Sequence, residues 1–71
     1  MEQIHPDEMV PNTQYIVDDP NMVALAKLLN MKIYKTVTFI RVAYRLNGVW
    51  YYLFHLDGRK RYFISNDTFY K

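Results

Sequence analysis

Cysteine is absent from the 71 residues, and glycine is nearly so, with only Gly48 and Gly58. Without cysteine there are no disulfides, no thiolate zinc site and no cysteine nucleophile. With two isolated glycines there is no Gly-rich phosphate loop, and both are consumed by turn signals. Histidine is scarce: His5 and His55 lie far apart, and a metal site needs three or four convergent ligands. The one serine, Ser65, has no histidine near it in sequence. This inventory names no catalytic residue, no metal site, no cofactor and no small-molecule substrate, so the chain reads as a non-enzyme. No run approaches the ~18 consecutive apolar residues of a membrane span. The acidic start MEQIHPDEM lacks the basic region and apolar run of a secretory signal. A soluble, intracellular protein with no membrane role is the expectation.

What is present is apolar and aromatic. Just over half the residues are hydrophobic, including seven Tyr, four Phe and one Trp. A chain this short buries roughly 60% of the surface its unfolded form exposes, and small domains make up the shortfall with staples or partners. With disulfides and metals excluded, a partner surface is the expected extra source of stability.

Charge is unevenly placed. Residues 1–26 hold five acids (Glu2, Asp7, Glu8, Asp18, Asp19) and no Lys or Arg, whereas residues 27–71 hold all nine basic residues with only Asp57 and Asp67 against them. The two parts therefore carry −5 and +7. Two readings follow: an acidic arm beside a basic contact surface, or an acidic segment folded back onto its own basic sheet.

Residues 1–13, with Pro6 and Pro11, read as an irregular acidic lead-in, and residues 14–71 as one small β-rich domain. Gln14–Asp18 reads as a strand. Asp19 and Pro20 read as a helix start, and the apolar stripe Met22, Leu25, Ala26, Leu28 and Leu29 predicts a helix over 20–30, ended at Asn30. Val37–Leu46 and Val49–Leu56 are rich in β-branched and aromatic residues and are joined by Asn47-Gly48, the sequence of a two-residue type I′ hairpin turn. A second turn at Asp57-Gly58 leads to Arg61–Ser65, and Phe69-Tyr70 suggests a short last strand. The fold class expected is a small α+β domain: strand, one helix and a three-stranded meander in a bent antiparallel sheet or open SH3-like barrel.

A two-residue turn places Leu46 opposite Val49, Tyr44 opposite Tyr51 and Val42 opposite Leu53. One face then carries Ile40, Val42, Tyr44, Leu46, Val49, Tyr51 and Leu53, and is the expected core. The other carries Phe39, Arg41, Ala43 and Arg45 beside Trp50, Tyr52, Phe54 and Leu56; Arg61 and Phe63 join it if Asp57-Gly58 is also a two-residue turn. Both faces are too apolar for a sheet with one wet side. Either the sheet covers itself, by curling or beneath the helix, or the Arg/aromatic face is a contact surface. In the second case Arg41, Arg45, Trp50, Tyr52, Phe54, Arg61 and Phe63 bind a protein partner or a second copy, since Trp, Tyr and Arg are enriched at binding hot spots.

The alternative is a small nucleic-acid-binding protein. Arg59-Lys60-Arg61 at the second hairpin tip would grip phosphates while the aromatics stack on bases. Three cations at a hairpin tip are also a common edge blocker. His5-Pro6-Asp7-Glu8 holds ligand-type residues without a further histidine, and His55 reads as a structural residue within its strand.

The stretch Val10–Val17, then Thr38-Phe39-Ile40, Trp50–Phe54 and the ending Arg61-Tyr62-Phe63 with Phe69-Tyr70, resembles small SH3-like β-sheet proteins of large DNA viruses. The resemblance spans most of the chain and rests on aromatic rhythm. It departs at Asn12, where those proteins have glycine, and at the helical insert 20–30. It implies a compact SH3-like sheet and a structural or host-interaction role, in the virion or the host cytoplasm, and no catalytic residues.

Overall fold

The computed structural model describes all of residues 1–71. Six strands form one antiparallel sheet: β1 (Gln3–Ile4), β2 (Gln14–Asp18), β3 (Tyr34–Leu46), β4 (Val49–Leu56), β5 (Arg59–Ile64) and β6 (Phe69–Tyr70). Their order across the sheet is β1-β6-β2-β3-β4-β5, an open sheet with β1 and β5 at its edges. One short helix, α1 (Val23–Leu28), lies between β2 and β3. No helix is long and apolar enough to cross a membrane.

The β2 and β4 boundaries match those expected from sequence, and the meander forms. Asn47 and Gly48 have φ of 51° and 78°, and Asp57 and Gly58 have 53° and 74°. Leu46 pairs with Val49, and Leu56 with Arg59. Both turns are therefore two-residue hairpins with φ positive at both positions, the type I′ requirement. The second tight turn starts β5 at Arg59, two residues earlier than expected.

β3 is the spine. Its first part, Tyr34–Thr38, pairs with β2, and the stretch from Thr38 to Leu46 pairs with β4. Near the hairpin the register is as expected: Tyr44 faces Tyr51 and Arg45 faces Trp50. Shifts between Val42 and Tyr44 and between Phe39 and Arg41 then put Val42 opposite Tyr52, Arg41 opposite Leu53 and Phe39 opposite Phe54. Each extra residue bends the strand and raises its twist.

The expected faces are reversed, except that Leu53 is buried as expected, although outside the main core cluster. The core holds Phe39, Tyr52, Phe54, Leu56 and Phe63, whereas Val42, Tyr44 and Leu46 are exposed. Aromatic volume decides this. Phe54 stacks on Phe69 at 5.0 Å and meets Phe39 and Phe63 edge-on, each at 5.3 Å. Such pairs add about 0.5–1.5 kcal/mol beyond area burial. β2 contributes Tyr15 and Val17 to the same face, and β3 adds Val37.

Residues 1–13 are not an irregular lead-in. β1 pairs with β6, a single 3-10 turn spans Pro6–Glu8, and Ile4, Pro6 and Met9 are buried. Two tyrosine hydroxyls anchor the segment: Tyr52 donates to Asp7 Oδ1 at 2.8 Å, and Tyr15 accepts from the Val10 N–H at 2.8 Å. The segment closes the side of the sheet on which the aromatics meet. The whole chain is one sheet-centred unit, with 14 of 71 residues buried, a small core even for this length.

The helix is shorter than the 20–30 expected, because its flanks are turns. Asp19 is buried, its N–H donates to the Ile33 carbonyl, and its side chain accepts from the Asn21 N–H at 2.9 Å. It closes an Asx-type turn before α1 instead of capping it, and Pro20 lies in that turn. Asn30, at φ 51°, ends the helix as expected. Its N–H donates to the Lys27 carbonyl and the Met31 N–H to that of Ala26, the paired bonds of a Schellman motif.

Candidate functional site

The seven residues expected to form a contact face do not form one. Tyr52, Phe54 and Phe63 are core residues, so they are removed from any contact surface. The covering N-terminal segment, bonded to Tyr52 through Asp7, and Phe69 of β6, packed on Phe54 and Phe63, are the physical reasons. Burial and the bond to Asp7 push the Tyr52 hydroxyl up to about 12, holding it protonated. Arg41 falls opposite Leu53, on the other side of the sheet. Its guanidinium donates to the Val42 carbonyl at 3.2 Å.

Two exposed fragments of that face survive at opposite ends. At the β3–β4 tip, Arg45 lies over the Trp50 ring at 5.7 Å, with Trp50 43% exposed. On the edge strand β5, Arg61 lies over Phe63 at 5.9 Å and donates to Asn21 Oδ1 at 3.2 Å. Between them sit the buried rings of Tyr52 and Phe63. Arg59, Lys60 and Arg61 are brought together on β5, and all three are exposed.

The acidic third does not neutralise these cations. The ion pairs are His5–Asp7, Lys32–Asp18, Lys35–Asp57 and Lys71–Glu2. Asp57, the acid nearest the basic cluster in sequence, is held by Lys35 at 2.9 Å, and this contact raises the Lys35 pKa. Arg41, Arg45, Arg59, Lys60 and Arg61 make no ion pair. The reading in which the acidic segment covers the basic sheet is therefore not realised at β5.

The opposite sheet face carries a tyrosine cluster. Tyr44 stacks on Tyr51 at 4.8 Å and meets Tyr62 edge-on at 5.5 Å. Tyr44 and Tyr62 remain about half exposed. Tyr44 and Tyr51 were expected in the core, and Tyr44 is instead exposed while Tyr51 is half-buried.

The largest apolar exposure lies elsewhere, around α1. None of its residues is buried. Met22, Val23, Leu25, Leu29 and Met31 are all exposed, and Leu28 reaches 81%. Beside the helix runs a groove of about 470 Å³ lined by Val23, Ala26, Met31 and Ile33 with Asp18, Asp19, Lys27 and Lys32. Asp18 Oδ1 lies out of solvent there with no hydrogen-bond partner. The sequence signal for this surface was present: from Met22 to Met31 apolar side chains surround the helix with Lys27 as the only charge, too apolar for a helix with one wet side.

No family model, no curated protein and no solved structure matches this chain. The α1 segment offers dry contact area, and the β3–β5 region offers fixed positive charge. The tyrosine cluster offers rigid rings with hydroxyls at their rims, suited to mixed apolar and polar contact.

Proposed function

We propose that this chain is a non-catalytic protein-binding or structural assembly module, and that its principal contact is the apolar segment Met22–Met31. The observation that carries the reading is that α1 projects six large apolar side chains at and around it and buries none of its own residues. Contiguous exposed apolar surface of this kind marks interaction sites. Covering it would add the burial that a 12-residue hydrophobic core lacks, at about 25 cal/mol per Å² of apolar area. Arg45 and Trp50 serve as a rim contact, and the tyrosine cluster as a second patch. The bent sheet serves as an SH3-like scaffold for these surfaces, and the resemblance to small viral sheet proteins fits a structural or host-contact role inside an infected cell or a virion.

The double variant Leu25→Glu/Leu28→Glu tests this reading by light scattering, and photo-crosslinking from position 28 with and without Leu25→Glu tests it independently. Self-association predicts a particle mass that rises above 8.6 kDa with concentration in the parent and stays monomeric in the variant. A monomeric parent that crosslinks to a different protein also supports the reading. A monomeric parent with no protein adduct overturns it.

A second reading, nucleic-acid binding, is favoured by the five unpaired cations Arg41, Arg45, Arg59, Lys60 and Arg61. It is weakened by the burial of Tyr52, Phe54 and Phe63, which leaves Trp50 as the one ring of that face open to a base, with Arg45 already over it. Titrating Trp50 fluorescence with single- and double-stranded oligonucleotides separates the two. Saturable quenching that weakens steeply with salt supports this reading, and no response at low salt removes it.

A further inference from the structure

We propose that the open edge of β5 is an acceptor for an extended acidic segment of a partner protein, added as a seventh strand. The site is separate from α1 and stands whether or not α1 docks a partner. The register fixes which backbone groups are free. Residue pairs Leu56–Arg59, Phe54–Arg61 and Tyr52–Phe63 alternate with His55–Lys60, Leu53–Tyr62 and Tyr51–Ile64. Beyond them, the Ser65 N–H donates to the Trp50 carbonyl at 3.3 Å. In an antiparallel ladder, bonded and non-bonded pairs alternate, so Arg59, Arg61 and Phe63 turn their backbone groups toward β4. Lys60, Tyr62 and Ile64 turn theirs to the open side.

Ile64 is already taken. Its N–H donates to Asp67 Oδ2 at 3.0 Å, and its carbonyl accepts from the Asp67 N–H at 3.1 Å. The free edge is therefore a defined two-residue unit, Lys60 and Tyr62, with two donors and two acceptors at strand spacing. An extended peptide recognises such an edge through its main chain.

Charge selects the occupant. Arg59, Lys60 and Arg61 are consecutive and exposed, and no carboxylate pairs with them. Strand alternation places Arg59 and Arg61 on one side of the edge and Lys60 on the other. An incoming strand therefore meets cations on both of its faces, and acidic side chains on both are favoured. A second β5 would place cation against cation, so the same residues discourage edge-to-edge pairing of two copies. Tyr62 supplies an apolar platform beside Lys60 for one side chain of the added strand.

The test is nitrogen-15 amide spectroscopy of the full chain at low salt, with an alternating Glu/Val heptapeptide as probe. Saturable shifts at Lys60 and Tyr62, with at least tenfold slower amide exchange there, are the expected result. Lys60→Glu with Arg61→Glu should weaken binding at least tenfold, as should backbone N-methylation of the peptide at unchanged charge. Tyr62→Pro, which removes an edge N–H without touching the β4 ladder, gives the same loss if the strand is added as described. Leu28→Glu should bind the peptide as the parent does, which separates this site from α1. Equal binding of the N-methylated peptide would overturn the proposal, because charge alone would then suffice. So would displacement of the peptide by an oligothymidylate of equal charge at lower concentration, which would make β5 a nucleic-acid surface. Slow Lys60 and Tyr62 exchange that sets in with protein concentration before peptide is added would also overturn it, since the occupant would then be a second copy.

Discussion

Tyr52 and Asp7 are joined across 45 residues by a 2.8 Å hydrogen bond, the buried phenol donating to a carboxylate at the surface. The contact ties the N-terminal segment to the centre of β4 and keeps a tyrosine hydroxyl protonated well above its usual range. Tyr52→Phe should cost about 1 kcal/mol, the net worth of a typical hydrogen bond, since Asp7 can return to water. The pH dependence has a definite sign. Because the folded hydroxyl titrates at about 12 and an unfolded one near 10, the folded state holds its proton longer. Its contribution is complete below pH ~10 and is lost as pH rises through ~12. Denaturant melts between pH 9 and 12 should show a steeper alkaline fall in the parent than in Tyr52→Phe.

Burial rises along one face of β4 from its hairpin end to its centre, and it separates two aromatic residues of that face. Phe54→Ala removes the ring at the centre of the core and should cost about 3–5 kcal/mol, enough to unfold most of a small domain. Trp50→Ala, at a half-exposed hairpin position, should cost less than about 1 kcal/mol. Circular dichroism melts of the two variants read the difference. Equal losses would contradict the core assignment.

The turns make a sharper backbone test. A methyl group at Gly48 or Gly58 meets no atom within 4 Å, yet φ is +78° and +74°. Alanine at either position should therefore destabilise by about 1–2 kcal/mol through left-handed strain alone. Asn should cost less at both positions. A chemical denaturation series over the four variants checks the ranking.

Residues 1–9 supply β1 and the buried Ile4, Pro6 and Met9. Their deletion should leave the remaining chain without its cooperative thermal transition, instead of producing a folded protein with a bared basic sheet. Retention of a sharp transition would show that the segment is dispensable.

Much of this fold was legible from residue types. Asn47-Gly48 and Asp57-Gly58 announce their turns because positive φ at two successive positions is cheap for few dipeptides. β2 and β4 are legible because β-branched and aromatic residues crowd them. The bulges were not legible. Nothing in Phe39–Tyr44 marks Ile40 or Ala43 as the extra residues, and each shift re-aims the rest of β3. Face assignment failed with them, since alternation says which residues share a face but not which face is covered. That choice depends on where residues 1–13 and β6 land, a long-range matter. The candidate site inherits the error: Tyr52, Phe54 and Phe63 are core, while Arg45, Trp50 and Arg61 remain on the surface. The helix was visible as an apolar stripe, and its failure to pack on the sheet follows from the Asp19 turn and the Asn30 cap, which confine it to six residues.

The most direct test of the account is photo-crosslinking in living cells from position 28, with exposed position 60 as the comparison. A discrete protein adduct is expected at position 28, either a second copy or a different protein, which disappears when Leu25→Glu is added while the thermal midpoint stays unchanged. No protein adduct from position 28 in a folded protein would contradict the claim that Met22–Met31 is a docking surface.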